Sequence, residues 1–358
     1  MQNVQIIAEA GVNHNGKREL AFELVDAAIK AGADVVKFQT FKAGELSVTS
    51  APLARYQIQN LNVQEDQLSM LSRLELPFSI FQELKFYCDT KGITFLSTAF
   101  DDSSLKFLLT DLGLTTLKIP SGEITNAPFL LEHARSSANL ILSTGMSTLS
   151  EIESALAIIA YGMLSNTDEV PTKEAIKEVY SSREARIILN NRLTLLHCTS
   201  EYPAAPKDIN LRAMRTLSDA FGVPTGLSDH SEGTAIAVSA VALGANIVEK
   251  HFTLNKNLPG PDHKASLEPV ELTQLVKSIR QVEIAMGSAV KVPTHGEIKT
   301  SMIVRKSIKA SQKIHQGQRF TMENLCVKRP GVGVSPFEIW DYIGKTAQKD
   351  YLPGECIE

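Results

Sequence analysis

Residues 225–251, TGLSDHSEGTAIAVSAVALGANIVEKH, read as strand, helix, strand. Thr225–Leu227 and Ile247–Lys250 are short β-rich runs. Between them, Thr234–Leu243 carries its apolar residues at helical spacing and stops at Gly244, a residue suited to the left-handed C-cap of a helix. A helix that returns the chain to a neighbouring strand makes the two strands parallel, because such crossovers are right-handed. Working outward, the same alternation recurs with strands at Gln5–Ala8, Val35–Gln39, Thr94–Thr98, Thr116–Ile119, Leu140–Ser143 and Leu193–Cys198, and with helices such as Glu19–Ala31 ahead of Gly32. Eight strand-helix units predict an α/β fold closed into a (β/α)8 TIM barrel over residues 1–287.

Two connections exceed the usual length. Residues 41–76 follow the second strand, on the face where barrels carry their sites, and are expected to form a lid. Residues 164–192 follow the fifth helix, on the opposite face, and read as a peripheral, partly helical insertion. After Gly287 the pattern becomes short and turn-rich. A linker, 288–300, is expected where Pro293 and Gly296 fall, followed by a small β-rich domain, 301–358, with strands near Lys306–Ala310, Gln318–Phe320 and Val327–Lys328.

The 358 residues, 43% hydrophobic and 21% charged, suffice for such a core without staples. A net charge of −4 gives no electrostatic reason for a nucleic-acid partner. Met1-Gln2-Asn3-Val4 runs into the first strand without a basic start, and no apolar run approaches the roughly 20 residues of a membrane span. Four scattered cysteines without CxxC spacing argue against a zinc knuckle or a disulfide framework, and a cytoplasmic location is expected.

Barrel sites are built at the C-terminal ends of the strands. Polar residues stand at nearly every one: Glu9, Lys37 and Gln39, Thr98, Lys118 with Ser121 and Glu123, Ser143, Tyr202, Ser228-Asp229-His230, and His251. His230 and His251 end adjacent strands, and two imidazoles with carboxylates nearby can hold a divalent ion and leave positions open. The plainer alternative is a loop hydrogen bond for each. Lys37, Lys118, Ser121 and Ser143 form a cationic, hydroxyl-rich group suited to a phosphate and a carboxylate. Ion pairing inside the barrel, or a Schiff base on a buried lysine, are the alternatives. Glu9 and Glu123 read as acid/base groups or as anchors for hydroxyls. The turn Asn13-His14-Asn15-Gly16 reads as structural, and His197, inside a strand, as packed.

The runs Ala8-Glu9-Ala10-Gly11-Val12-Asn13-His14-Asn15-Gly16, Val36-Lys37-Phe38-Gln39-Thr40, Lys118-Ile119-Pro120-Ser121-Gly122-Glu123, Leu142-Ser143-Thr144-Gly145-Met146, Gly226-Leu227-Ser228-Asp229-His230, Glu249-Lys250-His251-Phe252-Thr253 and Pro259-Gly260-Pro261-Asp262 resemble the bacterial sialic acid synthase family, in order and from Ile6 to the C-terminus. The tail, with Val327-Lys328-Arg329-Pro330-Gly331, is similar to that family's antifreeze-like (SAF) domain. The resemblance implies a metal-dependent transferase that condenses phosphoenolpyruvate with N-acetylmannosamine or a 2,4-diacetamido-2,4,6-trideoxy sugar, giving N-acetylneuraminate or N,N'-diacetyllegionaminate. Glu-Ala-Gly and Pro-Asp-His-Lys-Ala lean toward the legionaminate branch. It implies a divalent ion on His230 and His251, Mn²⁺ first and Mg²⁺ or Co²⁺ after it, with Glu9 nearby. It implies phosphoenolpyruvate on Lys37, Thr98, Lys118, Ser121, Ser143 and Ser228. The sugar falls to Gln39, Glu123, Tyr202 and Asp262, with Arg329 arriving from the partner of a domain-swapped homodimer. Ser200 departs from the asparagine of some members. A metal-free Schiff-base aldolase is the rival enzyme, and a carbohydrate- or ice-binding protein the rival of another class.

Overall fold

The computed structural model describes residues 3–61, 66–165 and 170–358. The chain divides into two compact units, Met1–Gly287 and Ser288–Glu358.

In the first unit eight parallel strands close a barrel in chain order: β1 (Gln5–Gly11), β2 (Val35–Thr40), β3 (Thr94–Ala99), β4 (Thr116–Ile119), β5 (Asn139–Ser143), β6 (Leu193–Cys198), β7 (Thr225–Asp229) and β8 (Ile247–His251). Closure is made by β1 against β8, in the register Gln5↔Ile247 to Glu9↔His251. Several strands run one to three residues beyond the lengths read from sequence, because their polar ends continue the hydrogen-bonded ladder instead of leaving it.

Strand alternation explains how the interior is filled. Ile7, Val35, Leu96, Ile141, Leu196 and Ile247 form one buried aliphatic layer inside the barrel. Two residues further along the same strands the inward positions are Glu9, Lys37, Thr98, Ser143, Cys198 and Glu249. The barrel is thus plugged by oil below and lined with charge and hydroxyls above. The main core lies outside the strands, where helices such as Arg18–Ala31 and Pro269–Met286 bury Leu24, Val25, Leu272 and Leu275 against the sheet. At Gly32 the chain turns at φ +83, the left-handed cap that favours glycine.

Among its described residues, the long connection after β2 carries the helices Ala43–Leu46, Arg55–Leu61 and Gln67–Leu74. Phe41, Leu53, Met70 and Leu74 pack with Val12 from the β1 loop, so the segment covers the C-terminal end of the barrel. The insertion after the fifth barrel helix contains helices Lys173–Tyr180 and Arg183–Arg192, capped by Thr172 and Ser182. Residues 166–169 of it lie outside the described residues.

In the second unit, strands β9 (Ser307–Ala310) and β10 (Leu325–Lys328) pair antiparallel over a core that includes Ile308, Ile314, Phe320 and Tyr351. Two expectations need correcting. Gln318–Phe320 is not a strand and contributes only the bridge Arg319↔Thr346. The span expected as linker is part helix: His295–Val304 is helical, opened by a capping box between Thr294 and Glu297. Gly296, expected to mark the linker with Pro293, falls in the first turn, where the backbone N–H groups lack intrahelical partners anyway, and the cap outweighs the glycine.

Candidate active site

A cavity of about 390 Å³ opens at the C-terminal end of the barrel, walled by the upper interior layers below and by Phe41, Leu46, Tyr56, Met70 and Leu74 of the cover above.

Its floor is an ion cluster. Lys37 Nζ lies 2.7 Å from Glu9 Oε2 and 3.5 Å from Glu249 Oε2, and donates to Thr98 Oγ1 at 3.1 Å. Lys118 Nζ lies 3.3 Å from Glu249 Oε1, which also accepts from Ser228 Oγ at 2.9 Å. All four charged side chains are buried. Burial pushes both carboxyls up, but Lys118 and Lys37 together overcome it at Glu249, which is held well below the usual carboxylate range. At Glu9 desolvation wins over Lys37, and its carboxyl rises to about 7. Burial lowers the Lys118 amine, while at Lys37 the carboxylates of Glu249 and Glu9 outweigh burial and raise it. Each lysine thus faces a carboxylate, the ion pairing inside the barrel that the sequence left as an alternative to anion binding. Ser143 Oγ, buried on the same layer, has no hydrogen-bond partner, so a donor points into the cavity unsatisfied.

The next layer holds the imidazoles. His230 Nδ1 lies 2.7 Å from the carbonyl of Thr199, which can only accept, so Nδ1 carries the proton and Nε2 presents a lone pair. That lone pair faces Tyr202 OH at 3.1 Å. The His251 ring centroid is 5.6 Å from that of His230, and its Nδ1 is buried without a partner. Burial drives both imidazoles toward the neutral form, His230 to about 4. Tyr202 stacks on His230 at 4.1 Å and meets His251 edge-on at 5.6 Å. Two neutral imidazoles, one with its tautomer fixed from behind, fit an open metal site. Among the described residues, no third His, Cys, Asp or Glu completes a set. The carboxylate at Asp229 turns to the other side of the strand and pairs with Lys250 at 2.8 Å. Gly11, at φ +52, gives these groups their room: a Cβ there would lie 3.3 Å from Gln39 Nε2 and Glu9 Oε1, and 3.4 Å from His251 Cε1.

Of the residues singled out from sequence, Glu9, Lys37, Gln39, Thr98, Lys118, Ser121, Ser143, Tyr202, Ser228, His230, His251 and Asp262 all line this one cavity. Gln39 donates to Glu9 at 3.2 Å, and Ser121 Oγ accepts from the Gly145 N–H at 2.9 Å. Asp262 is buried, and desolvation raises its carboxyl to about 6. Glu123, expected among the catalytic groups, is not in the lining; its carboxylate accepts from Asn126 at 2.7 Å within the same turn. Ser200 lines the cavity near the ideal Cβ position of Gly145. Arg329 belongs to the second unit. The turn at Asn13 is structural as read: Asn13 Nδ2 donates to the Phe252 carbonyl at 2.7 Å, and Asn15 accepts from His263 at 3.1 Å. Sequence reasoning missed Glu249, although it stands two residues before His251 on the same inward face, a spacing that would have found it. It also missed Tyr56, whose ring lies 4.9 Å from Tyr202 and which no pattern in the cover announces.

The chain is 45% identical, over all of its length and 99% of the relative's, to the N,N'-diacetyllegionaminic acid synthase of Campylobacter jejuni. It is 44% identical to the enzyme of the same name from Legionella pneumophila, over 98% of this chain and 92% of that one. Among solved structures, the N-acetylneuraminic acid synthetase of Leptospira borgpetersenii superposes with a TM-score of 0.66 at 32% identity, covering 84% of this chain and 90% of the other. The NeuB family profile matches residues 24–291. With that match spanning most of the barrel and with relatives alike along their whole length, the chain belongs to the NeuB family.

Proposed function

We propose that this protein condenses phosphoenolpyruvate with a 2,4-diacetamido-2,4,6-trideoxy sugar and water, giving N,N'-diacetyllegionaminate and phosphate. The observation that carries the reading is the layered cavity, with paired lysines, hydroxyls and the unpartnered Ser143 on its floor and two neutral imidazoles above them. The two relatives at 45% and 44% identity supply the choice of acceptor over N-acetylmannosamine.

Lys37, Lys118, Thr98, Ser121, Ser143 and Ser228 take the donor's phosphate and carboxylate. Gln39, Tyr202 and Asp262 orient the sugar. C3 of phosphoenolpyruvate then attacks the aldehyde carbon, water adds at C2, and the tetrahedral intermediate expels phosphate. Glu9, whose carboxyl titrates near neutrality, gives a proton to the oxygen of the former aldehyde and recovers one from the adding water. Glu249 stays ionised and holds both lysine heads in place. Water excluded by the cover strengthens each of these contacts. His230 Nε2 and His251 would hold a divalent ion, Mn²⁺ first, whose contribution when bound is Lewis-acid polarisation of the acceptor aldehyde. Arg329 of a partner subunit's small domain, which resembles the antifreeze-like domain, would complete the sugar site of a homodimer. Four free cysteines and the absence, among described residues, of a helix long and apolar enough to cross a membrane agree with a cytoplasmic enzyme.

The second reading, a Schiff-base aldolase, draws on the lowered amine of buried Lys118. Chelation followed by metal add-back, run beside borohydride trapping with pyruvate, separates the two. Loss and recovery of turnover with no trapped lysine supports the synthase. A trapped Lys118 adduct with activity indifferent to chelator contradicts it.

A further inference from the structure

The small unit buries an ammonium that no carboxylate matches. Lys309, on β9, is 6% exposed, and no acidic group of the described residues lies within ion-pair distance. Its Nζ meets Cys356 Sγ at 2.9 Å. A cation removed from water needs a counter-charge, and among the described residues the group that meets this one is the Cys356 sulfur. Lys309 has thiols on both sides of it: Cys326 opposite on β10, and Cys356 opposite on the other edge through an isolated bridge. Directly paired residues share a face of the sheet, so both thiols and the ammonium stand together. Both cysteines are partly exposed, but Lys309 turns to Cys356. The hydrogen bond from Lys309 also holds that thiol below its ordinary range. Elsewhere Cys88 is buried and pushed up to about 12, and Cys198 is buried at the cavity.

We propose that Cys356 is a thiolate kept by Lys309 and the site at which this chain reacts with hydrogen peroxide and with soft electrophiles. In the peroxide reaction the sulfur attacks one oxygen, an S–O bond forms and the O–O bond breaks. The departing hydroxide takes a proton from the Lys309 ammonium and leaves as water. Sulfur is oxidised by two electrons, peroxide is reduced by two, and the lysine regains its proton from solvent. The sulfenic acid so formed lies against Gly333, where an ideal Cβ would be 3.3 Å from Sγ. It also adjoins Ser307, whose hydroxyl donates to the Pro330 carbonyl at 2.7 Å. Cys356 chemistry is thereby placed behind the loop that carries Arg329.

Cys326, in the same unit, is the internal control. The full-length protein is labelled with iodoacetamide at pH 7 and its four cysteine peptides are followed by mass spectrometry, with a parallel sample treated with hydrogen peroxide and dimedone. Cys356 should alkylate at least ~10-fold faster than Cys326 and carry the dimedone adduct. Its rate should be nearly flat from pH 6 to 8. Lys309→Met should bring it down to the Cys326 rate, and Lys309→Arg should restore it. Equal rates in the unaltered protein overturn the proposal, as does a Cys356 rate that climbs tenfold per pH unit like an ordinary thiol. Should Lys309→Met unfold the small unit by circular dichroism, the ratio and pH profile of the unaltered chain decide alone.

Discussion

Glu249 and Lys118 stand 131 positions apart in the chain and 3.3 Å apart in the barrel. Their neighbour Lys37 is balanced between Glu249 and Glu9, so one carboxylate fixes the geometry of both cations. Glu249→Gln should leave two buried ammonium groups facing each other with a single carboxyl between them. Uncompensated buried charge costs on the order of 3–5 kcal/mol, and the lysine heads should also lose their alignment. We therefore expect lower stability in denaturant titrations and a fall of ~10²-fold or more in kcat/KM for phosphoenolpyruvate, the scale of losing a preorganised charge contact. Lys37→Ala and Lys118→Ala should show donor losses of the same order. An unchanged donor KM and kcat in all three variants would place the anion elsewhere. The lysines themselves were legible from their strand-end positions. Their partner was not, because a lone Glu among Val248 and Lys250 looks like any strand residue until the inward parity of β8 is read from His251.

At the scale of elements, the alternation of short β-rich runs with amphipathic helical runs was enough to recover all eight strands, since a barrel repeats one local pattern and each repeat confirms the next. The cover after β2 was legible from its length and its place after a strand end, but its detail was not. Gln67–Leu74 shows its apolar face in Met70 and Leu74, but Tyr56, on the helix before it, reaches the cavity with no signal of its own. The short helix Ala127–Arg135 carries a further consequence. His133 is fully buried, with Nδ1 2.8 Å from the Phe129 carbonyl and Nε2 without a partner. Burial lowers its pKa from the ordinary 6.5 to about 4. A base depressed in the folded state binds its proton more readily when unfolded, so this site contributes stability fully above pH 6.5 and loses it as pH falls toward 4. Between pH 7 and 5 the loss is about 2 kcal/mol. His133→Leu should abolish that increment: urea titrations at the two pH values should show the variant losing about 2 kcal/mol less than the unaltered chain. Equal losses would mean that His133 titrates normally.

For the whole molecule, the second unit poses the main question of assembly. The residues joining it to the barrel include the helix His295–Val304, whose side chains are almost all exposed. If Arg329 serves the partner's sugar site, mixing inactive Arg329→Ala subunits with inactive His251→Ala subunits under exchange conditions should restore activity, because one site in each mixed dimer is whole. Completion within one chain leaves both sites of every mixed dimer defective, and no activity returns. The central claim, that the charged cavity joins phosphoenolpyruvate to an acylated amino sugar, is tested most directly by one assay. Purified enzyme with Mn²⁺ is given phosphoenolpyruvate and 2,4-diacetamido-2,4,6-trideoxymannose, and phosphate and product mass are followed together. The account predicts one phosphate released for each nine-carbon keto acid formed, with N-acetylmannosamine turned over more slowly. Phosphate released without a condensed product, or no phosphate with any acylamino sugar, would contradict it.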